Sequence, residues 1–319
     1  MSHRMVRLLG VFAVSVLGCA KSNNSSADST KAAGAVTPAA SPTTATKVGE
    51  TGGMKTPESV RYDPELDVFY VSNINGGASA HDGNGFIAVV RADSVGAATK
   101  VLVEGGKRGA RLDAPKGLAL VGDTLWVADI DHVRAFNRRT GAPIADIDLS
   151  PQKATFLNDV VADGSGAIYV TDTGISMNAK GATSHPGIDQ IFKITGRTAA
   201  ALRPDSLDAP NGIAWDSTSG RFILGPSNNK AIQTWKEGDK ATTALVRGPG
   251  QYDGVEVLAD GRILVTSWAD SAVHIVQNGE MTVLVPNVSS PADIGVDTKR
   301  NIVAIPRLND NKVDYYKIP

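Results

Sequence analysis

From about residue 47 onward, short apolar runs alternate with turn residues, and the alternation itself recurs on a longer period. The clearest stretch is Leu118-Ala119-Leu120-Val121, a Gly122-Asp123 turn, Thr124 to Asp129, His132 to Phe136, a Thr140-Gly141 turn, and Ile144 to Leu149. Turns at this spacing delimit strands and leave no room for helices. Each group of strands opens on a related string: Thr56-Pro57-Glu58-Ser59-Val60, Ala114-Pro115-Lys116-Gly117-Leu118, Phe156-Leu157-Asn158-Asp159-Val160, Ala209-Pro210-Asn211-Gly212-Ile213, Gln251-Tyr252-Asp253-Gly254-Val255 and Ser290-Pro291-Ala292-Asp293-Ile294.

Six such repeats of four antiparallel strands predict an all-β fold, a six-bladed β-propeller, in which each sheet buries its faces against its neighbours. The last repeat stops at Pro319, just after a third strand near Lys312 to Ile318. Its fourth strand is expected from Ala45 to Thr51, which closes the ring without a free edge. A β-sandwich is the main alternative, but its strands need not recur behind one marker.

The first residues depart from this pattern. Arg4 and Arg7 precede an apolar run from Leu8 to Leu17, too short to span a bilayer but suited to a secretory signal. Val16-Leu17-Gly18-Cys19 resembles a bacterial lipobox, so residues 1–19 read as a lipoprotein signal with Cys19 as the lipidated residue; an ordinary signal peptide with an incidental cysteine is the other reading. Cys19 is the only cysteine, so no internal disulfide is possible. Residues 20–46 are Ser, Thr, Ala, Asn and Pro with few large apolar side chains, a disordered tether by composition. Residues 47–319 form the propeller. The expected location is outside the cytoplasm on a membrane anchor, with Ala20 after Cys19 mildly favouring the outer membrane. A net charge of −1 and a pI near 6.5 offer no basic surface, so nucleic acid is not an expected partner. A small-molecule substrate or a protein partner is, with the protein acting as a monomer.

In a meander the start of the first strand and the end of the second share a rim. The marker residues should therefore gather at the mouth of the central channel, among the second-strand ends Asn73, Asp129, Asp172, Ser227, Ser267 and Arg307. The long connections Asn75 to Gly85 and Thr173 to Asp189 should overhang that mouth, where specificity usually resides. Glu58, Asn158, Asn211 and Asp253 then bring two carboxylates and two amides to one level. Such hard oxygen donors suit Ca²⁺, Mg²⁺ or Mn²⁺, with Zn²⁺ less natural. Each taken alone also reads as a turn former bonded to its own backbone.

Glu58-Ser59-Val60-Arg61-Tyr62-Asp63-Pro64, Asn158-Asp159, Asn211-Gly212 and Asp253-Gly254 resemble the four signature stretches of the regucalcin (senescence marker protein), gluconolactonase and luciferin-regenerating-enzyme family. The resemblance implies one divalent cation held by Glu58, Asn211 and Asp253, with Asn158 touching metal or substrate and Asp253 acting as acid/base in opening a lactone. Two positions depart from the family's pattern. Phe156 stands where sugar-lactone members carry an arginine, and Tyr62 where a tryptophan is usual, which points away from a sugar.

Lys116 is the odd member of the ring. Its ammonium turns to solvent, pairs with Glu58 or Asp293, or grips an anionic substrate or developing oxyanion. His81, His132, His185 and His274 show no paired carboxylate or metal-like spacing in sequence, Asp82-Gly83-Asn84-Gly85 reads as a turn, and Trp126, Trp215, Trp235 and Trp268 read as interblade packing. The function expected is hydrolysis of a lactone or small ester by a metal-dependent site. A non-catalytic propeller that binds a ligand or protein on its looped face is the alternative.

Overall fold

The structure is a computed structural model that describes residues 44–178 and 182–319. The signal segment 1–19 with Cys19, and the tether up to residue 43, lie outside the described residues. Among the described residues no helix is long and apolar enough to cross a membrane. Six four-stranded antiparallel sheets follow one another, and their first strands are Pro57–Asp63, Pro115–Val121, Leu157–Ala162, Pro210–Asp216, Tyr252–Val257 and Gly295–Asp297. The sixth sheet is completed as expected: Thr46–Thr51 pairs with Lys312–Lys317 as its outer strand, so the two ends of the domain share one ladder.

The apolar alternation accounts for the packing. Six buried clusters sit one at each blade junction, such as Val60, Val71, Ala304, Val313 and Tyr315 between blades six and one, or Ala128, Val133, Leu157 and Val170 between blades two and three. The fourth strands face solvent and alternate accordingly, as in Pro143–Asp148.

The marker strings are β-bulges. In blades one, two, three and five the ladder slips at the marker, so that Glu58-Ser59, Lys116-Gly117, Asn158-Asp159 and Asp253-Gly254 each oppose a single residue of the second strand. Blade four slips in the same place, with Asn211 as the extra residue. A bulge re-aims side chains and frees a backbone N–H. In three blades a second-strand hydroxyl accepts that N–H: Ser72 Oγ from Ser59 N at 2.8 Å, Thr171 Oγ from Asp159 N at 3.0 Å, and Thr266 Oγ from Gly254 N at 2.7 Å. The residue two before the ring position adopts a left-handed backbone in four blades, at Thr56, Ala209, Gln251 and Ser290. None of the four is glycine, and strain of this kind collects at functional sites.

Adjacent first strands approach so closely that a side chain fits at few ring-adjacent positions. A Cβ on Gly212 would overlap the Asp253 carbonyl oxygen, and one on Gly254 would lie 2.6 Å from Ile294 N. Glycine is required here for proximity rather than for its backbone angles.

Candidate functional site

The bulges deliver the predicted residues to one place. Glu58, Lys116, Asn158, Asn211 and Asp253 all line a single cavity of about 970 Å³ at the looped end of the axis. Its roof comes from the two long connections, joined where Met177 N donates to Ser79 Oγ at 3.3 Å. Ile74 and Ala78 of the first connection pack on Ala114 and Ile130, so the roof rests on blade two.

Inside the cavity the turn-former reading fails, because none of the four ring residues bonds its own backbone. Asn158 Nδ2 donates to Thr173 Oγ at 3.0 Å and Asn211 Nδ2 to Ser227 Oγ at 3.4 Å. Asp253 Oδ2 accepts from Trp268 Nε1 at 2.9 Å. Glu58 Oε2 and Asp253 Oδ1 are buried and have no partner within hydrogen-bond geometry, although the Asn211 amide is near enough to favour the Asp253 charge. Buried carboxylate oxygens left unmatched are costly unless something else satisfies them.

A second tier lies one step down the axis. Asp159 accepts from Val160 N at 2.7 Å and Ile213 N at 2.8 Å, which joins blades three and four. Asp293 accepts from Ser59 Oγ, and its Oδ1 is unpartnered. Arg61 pairs with Glu256, donates from Nε to Leu118 O at 2.8 Å, and lies 4.0 Å from Asp293. The channel thus holds Glu58, Asp159, Asp253, Glu256 and Asp293 against Lys116 and Arg61, a surplus of three acidic groups.

That surplus has a titration signature. Burial, then the Asp293 charge, pushes Asp253 up to about 7. Burial pushes Asp159 up to about 7 against the pull of Arg61. Burial and neighbouring acids hold Glu58 and Asp293 well above the ordinary carboxylate range. Between the usual carboxylate value and about 7 the folded state therefore keeps protons that the unfolded chain has lost. Their contribution to stability is fully present below that window and is lost as pH rises through it. Surface acids such as Glu50 and Asp93 are shifted the other way, to about 2, so their transitions fall below the window. Calorimetric melting in a chelator should give a lower Tm at pH 8 than at pH 5. A flat or rising Tm would contradict the surplus.

Lys116 follows only part of what its position suggested. It does not turn to solvent, being 1 % exposed, and no carboxylate of the described residues comes within the 4.0 Å of an ion pair, so it pairs with neither Glu58 nor Asp293. Nζ donates to Ala114 O at 3.1 Å and sits 4.2 Å above the centre of the Phe156 ring. The second-strand ends also differ from expectation: Asn73, Asp129 and Asp172 turn inward and accept from backbone amides just upstream of the markers, at Lys55, Ala114 and Phe156. They fix the loops that carry the ring; of the rim residues named above only Ser227 lines the cavity. Each of the four described histidines does have an aspartate neighbour, His81 with Asp113, His132 with Asp146, His185 with Asp189 and His274 with Asp270, yet none lines the cavity. The sequence reading missed Trp268, which is no packing residue but a cavity wall that holds Asp253. Its place directly after the second strand of blade five was the signal.

All the donors at the ring are oxygen-bearing, and two of the carboxylate oxygens are open, so this set fits a hard divalent cation. Among the described residues no group of three or more His, Cys, Asp or Glu is arranged as a metal cluster.

A closed six-bladed ring with carboxylates and amides raised on bulges at one end of its axis defines the class of protein. The chain belongs to the SMP-30/gluconolactonase/LRE-like family, whose profile matches residues 56–303. Among solved structures it is similar to a gluconolactonase from Xanthomonas campestris, at 16 % identity and a TM-score of 0.62 over 84 % of this chain and 88 % of that one. A putative gluconolactonase matches at 15 % and 0.62 over 87 % and 93 %, and a chain from a nidogen/laminin complex at 16 % and 0.57 over 73 % and 81 %. At these identities the likeness is one of fold. No curated protein matches the sequence significantly.

Proposed function

We propose that the protein is a divalent-cation-dependent hydrolase of a lactone or similar small ester, working in the cavity on the ring's axis. The observation that carries this is the pair of open, buried carboxylate oxygens, Glu58 Oε2 and Asp253 Oδ1, lining one cavity with the amides of Asn158 and Asn211. Glu58, Asn211 and Asp253 would hold the cation, with Ca²⁺ the best match to such donors and Mg²⁺, Mn²⁺ or Zn²⁺ the alternatives. When bound it supplies polarisation of the ester carbonyl and stabilisation of the negative charge that develops there.

The chain's own groups do the rest. Asp253 Oδ1 takes the proton of the attacking water as the new C–O bond forms, and returns it to the ring oxygen as the lactone C–O bond breaks. Trp268, donating to Oδ2, fixes that carboxylate. Asn158 commits its amide nitrogen to Thr173 and so offers its oxygen to substrate. Met177 and Ile175 of the roof keep bulk water from one side of the cavity.

Calorimetric titration of the chelator-treated full chain with Ca²⁺, followed by a panel of lactones assayed by acid release, tests the reading. Wild type should bind one cation and lose turnover in chelator, and Glu58→Gln should bind at least about tenfold more weakly, since even outer-shell changes cost that much. A wild type that binds no divalent cation would leave a non-catalytic scaffold as the better description.

A further inference from the structure

Lys116 is fully buried and forms no ion pair among the described residues, and burial lowers its pKa against the raising fields of Glu58, Asp129, Asp131 and Asp172. One N–H goes to Ala114 O, the Phe156 ring covers a face, and no carboxylate of the described residues comes within ion-pair distance. Of the acids in its field, Asp129 pairs with Arg134 and Asp172 accepts from Gln190 and backbone amides, while Asp131 lies beyond ion-pair distance and keeps one buried oxygen without a hydrogen-bond partner. Glu58 belongs to the cation set proposed above. A desolvated ion without a partner is costly, and a ligand of opposite charge relieves that cost. Lys116 lines the cavity beneath the roof on blade two, beside Phe156, Ile74 and Ala78.

We infer that Lys116 and Phe156 form a subsite for one carboxylate, so that the substrate is a lactone or ester carrying a single carboxylate away from its reacting carbonyl. The inference rests on the hydrolase reading for the reacting end and on Lys116 alone for the far end. One ammonium matches one negative charge; a dianionic phosphate would bring a second next to Glu58 and Asp253. The ring of Phe156 stacks beside the ammonium rather than adding donors, as a hydroxyl-rich sugar would need. Specificity then arises because a neutral analogue leaves the buried ammonium unmatched.

The test pairs a γ-butyrolactone bearing a ring carboxylate with the corresponding carboxamide. Wild type should prefer the carboxylate roughly 100-fold in kcat/KM. Lys116→Gln should erase that ratio, and Lys116→Arg should retain a preference of the same sign. No preference in wild type, or a ratio unchanged in Lys116→Gln, overturns the inference. A second readout needs neither a variant nor turnover: by calorimetry the full chain should bind tetrahydrofuran-3-carboxylate, a monoanion that cannot be hydrolysed, in preference to tetrahydrofuran-3-carboxamide, and equal binding or none overturns it. Should the carboxylate bind while no lactone is turned over, the hydrolase reading falls and the carboxylate subsite stands.

Discussion

Asp253→Asn is expected to lower kcat for lactone hydrolysis by roughly 10²–10⁴-fold, the usual worth of a positioned general base. The substitution keeps the shape of the side chain and can still accept the 2.9 Å hydrogen bond from Trp268 Nε1. What it removes is the charge on an open oxygen that faces the cavity, and with it both the proton acceptor and one cation donor. Losing a charge from a channel that carries too many acids should not unfold the protein; removing repulsion with Asp293 acts the other way. The measurement is kcat at saturating substrate alongside a melting curve. A variant that retains a tenth or more of wild-type kcat with an unchanged fold would take Asp253 out of the reaction.

The largest effect on stability should come from Arg61→Ala. Arg61 starts in blade one, donates to a carbonyl of blade two, pairs with Glu256 of blade five and lies 4.0 Å from Asp293 of blade six. Its side chain is 21 % exposed and that of Glu256 16 %, toward a smaller cavity on the opposite face. Removing one member of such a pair strands the other charge, which costs about 3 kcal/mol, the low end for buried pairs because some water reaches this one. In a domain of this size that corresponds to a fall in Tm of roughly 6–10 °C. The double variant Arg61→Met/Glu256→Met should recover part of the loss, because Glu256 is then not stranded, while Asp293 and Asp159 still lose the nearby charge of Arg61. An Arg61→Ala protein melting within about 2 °C of wild type would show that the second tier contributes little to the ring.

The ring of blades and the level of the site were legible because they follow from spacing. A marker that recurs at the start of each strand group places Glu58, Asn158, Asn211 and Asp253 on one rim whatever their side chains do. The strand completed from the other end was legible for the same reason, since the last repeat is one strand short. Spacing is silent on where a side chain points once it arrives. Asn73, Asp129 and Asp172 have the right position for the mouth but turn back to backbone amides, because the loops before the markers leave N–H groups that need acceptors. Lys116 is buried by a roof built from connections to either side of blade two, and nothing in its own string reports that cover. The pairs His185–Asp189 and His274–Asp270 lie four residues apart and were open to a sequence reading, whereas His132 meets Asp146 diagonally across two strands, its register partner being Asp148.

The strand Thr46–Thr51 has as its ladder partner Lys312–Lys317, with Thr46 opposite Lys317. On a ribosome the earliest strand of the domain is thus made first and mated last. Until Lys312–Lys317 emerges, Thr46–Thr51 and the outer edge of blade six both carry open backbone groups, an invitation to pair with other chains. The domain therefore has no partial product in which all six sheets are sealed before Lys312–Lys317 is made.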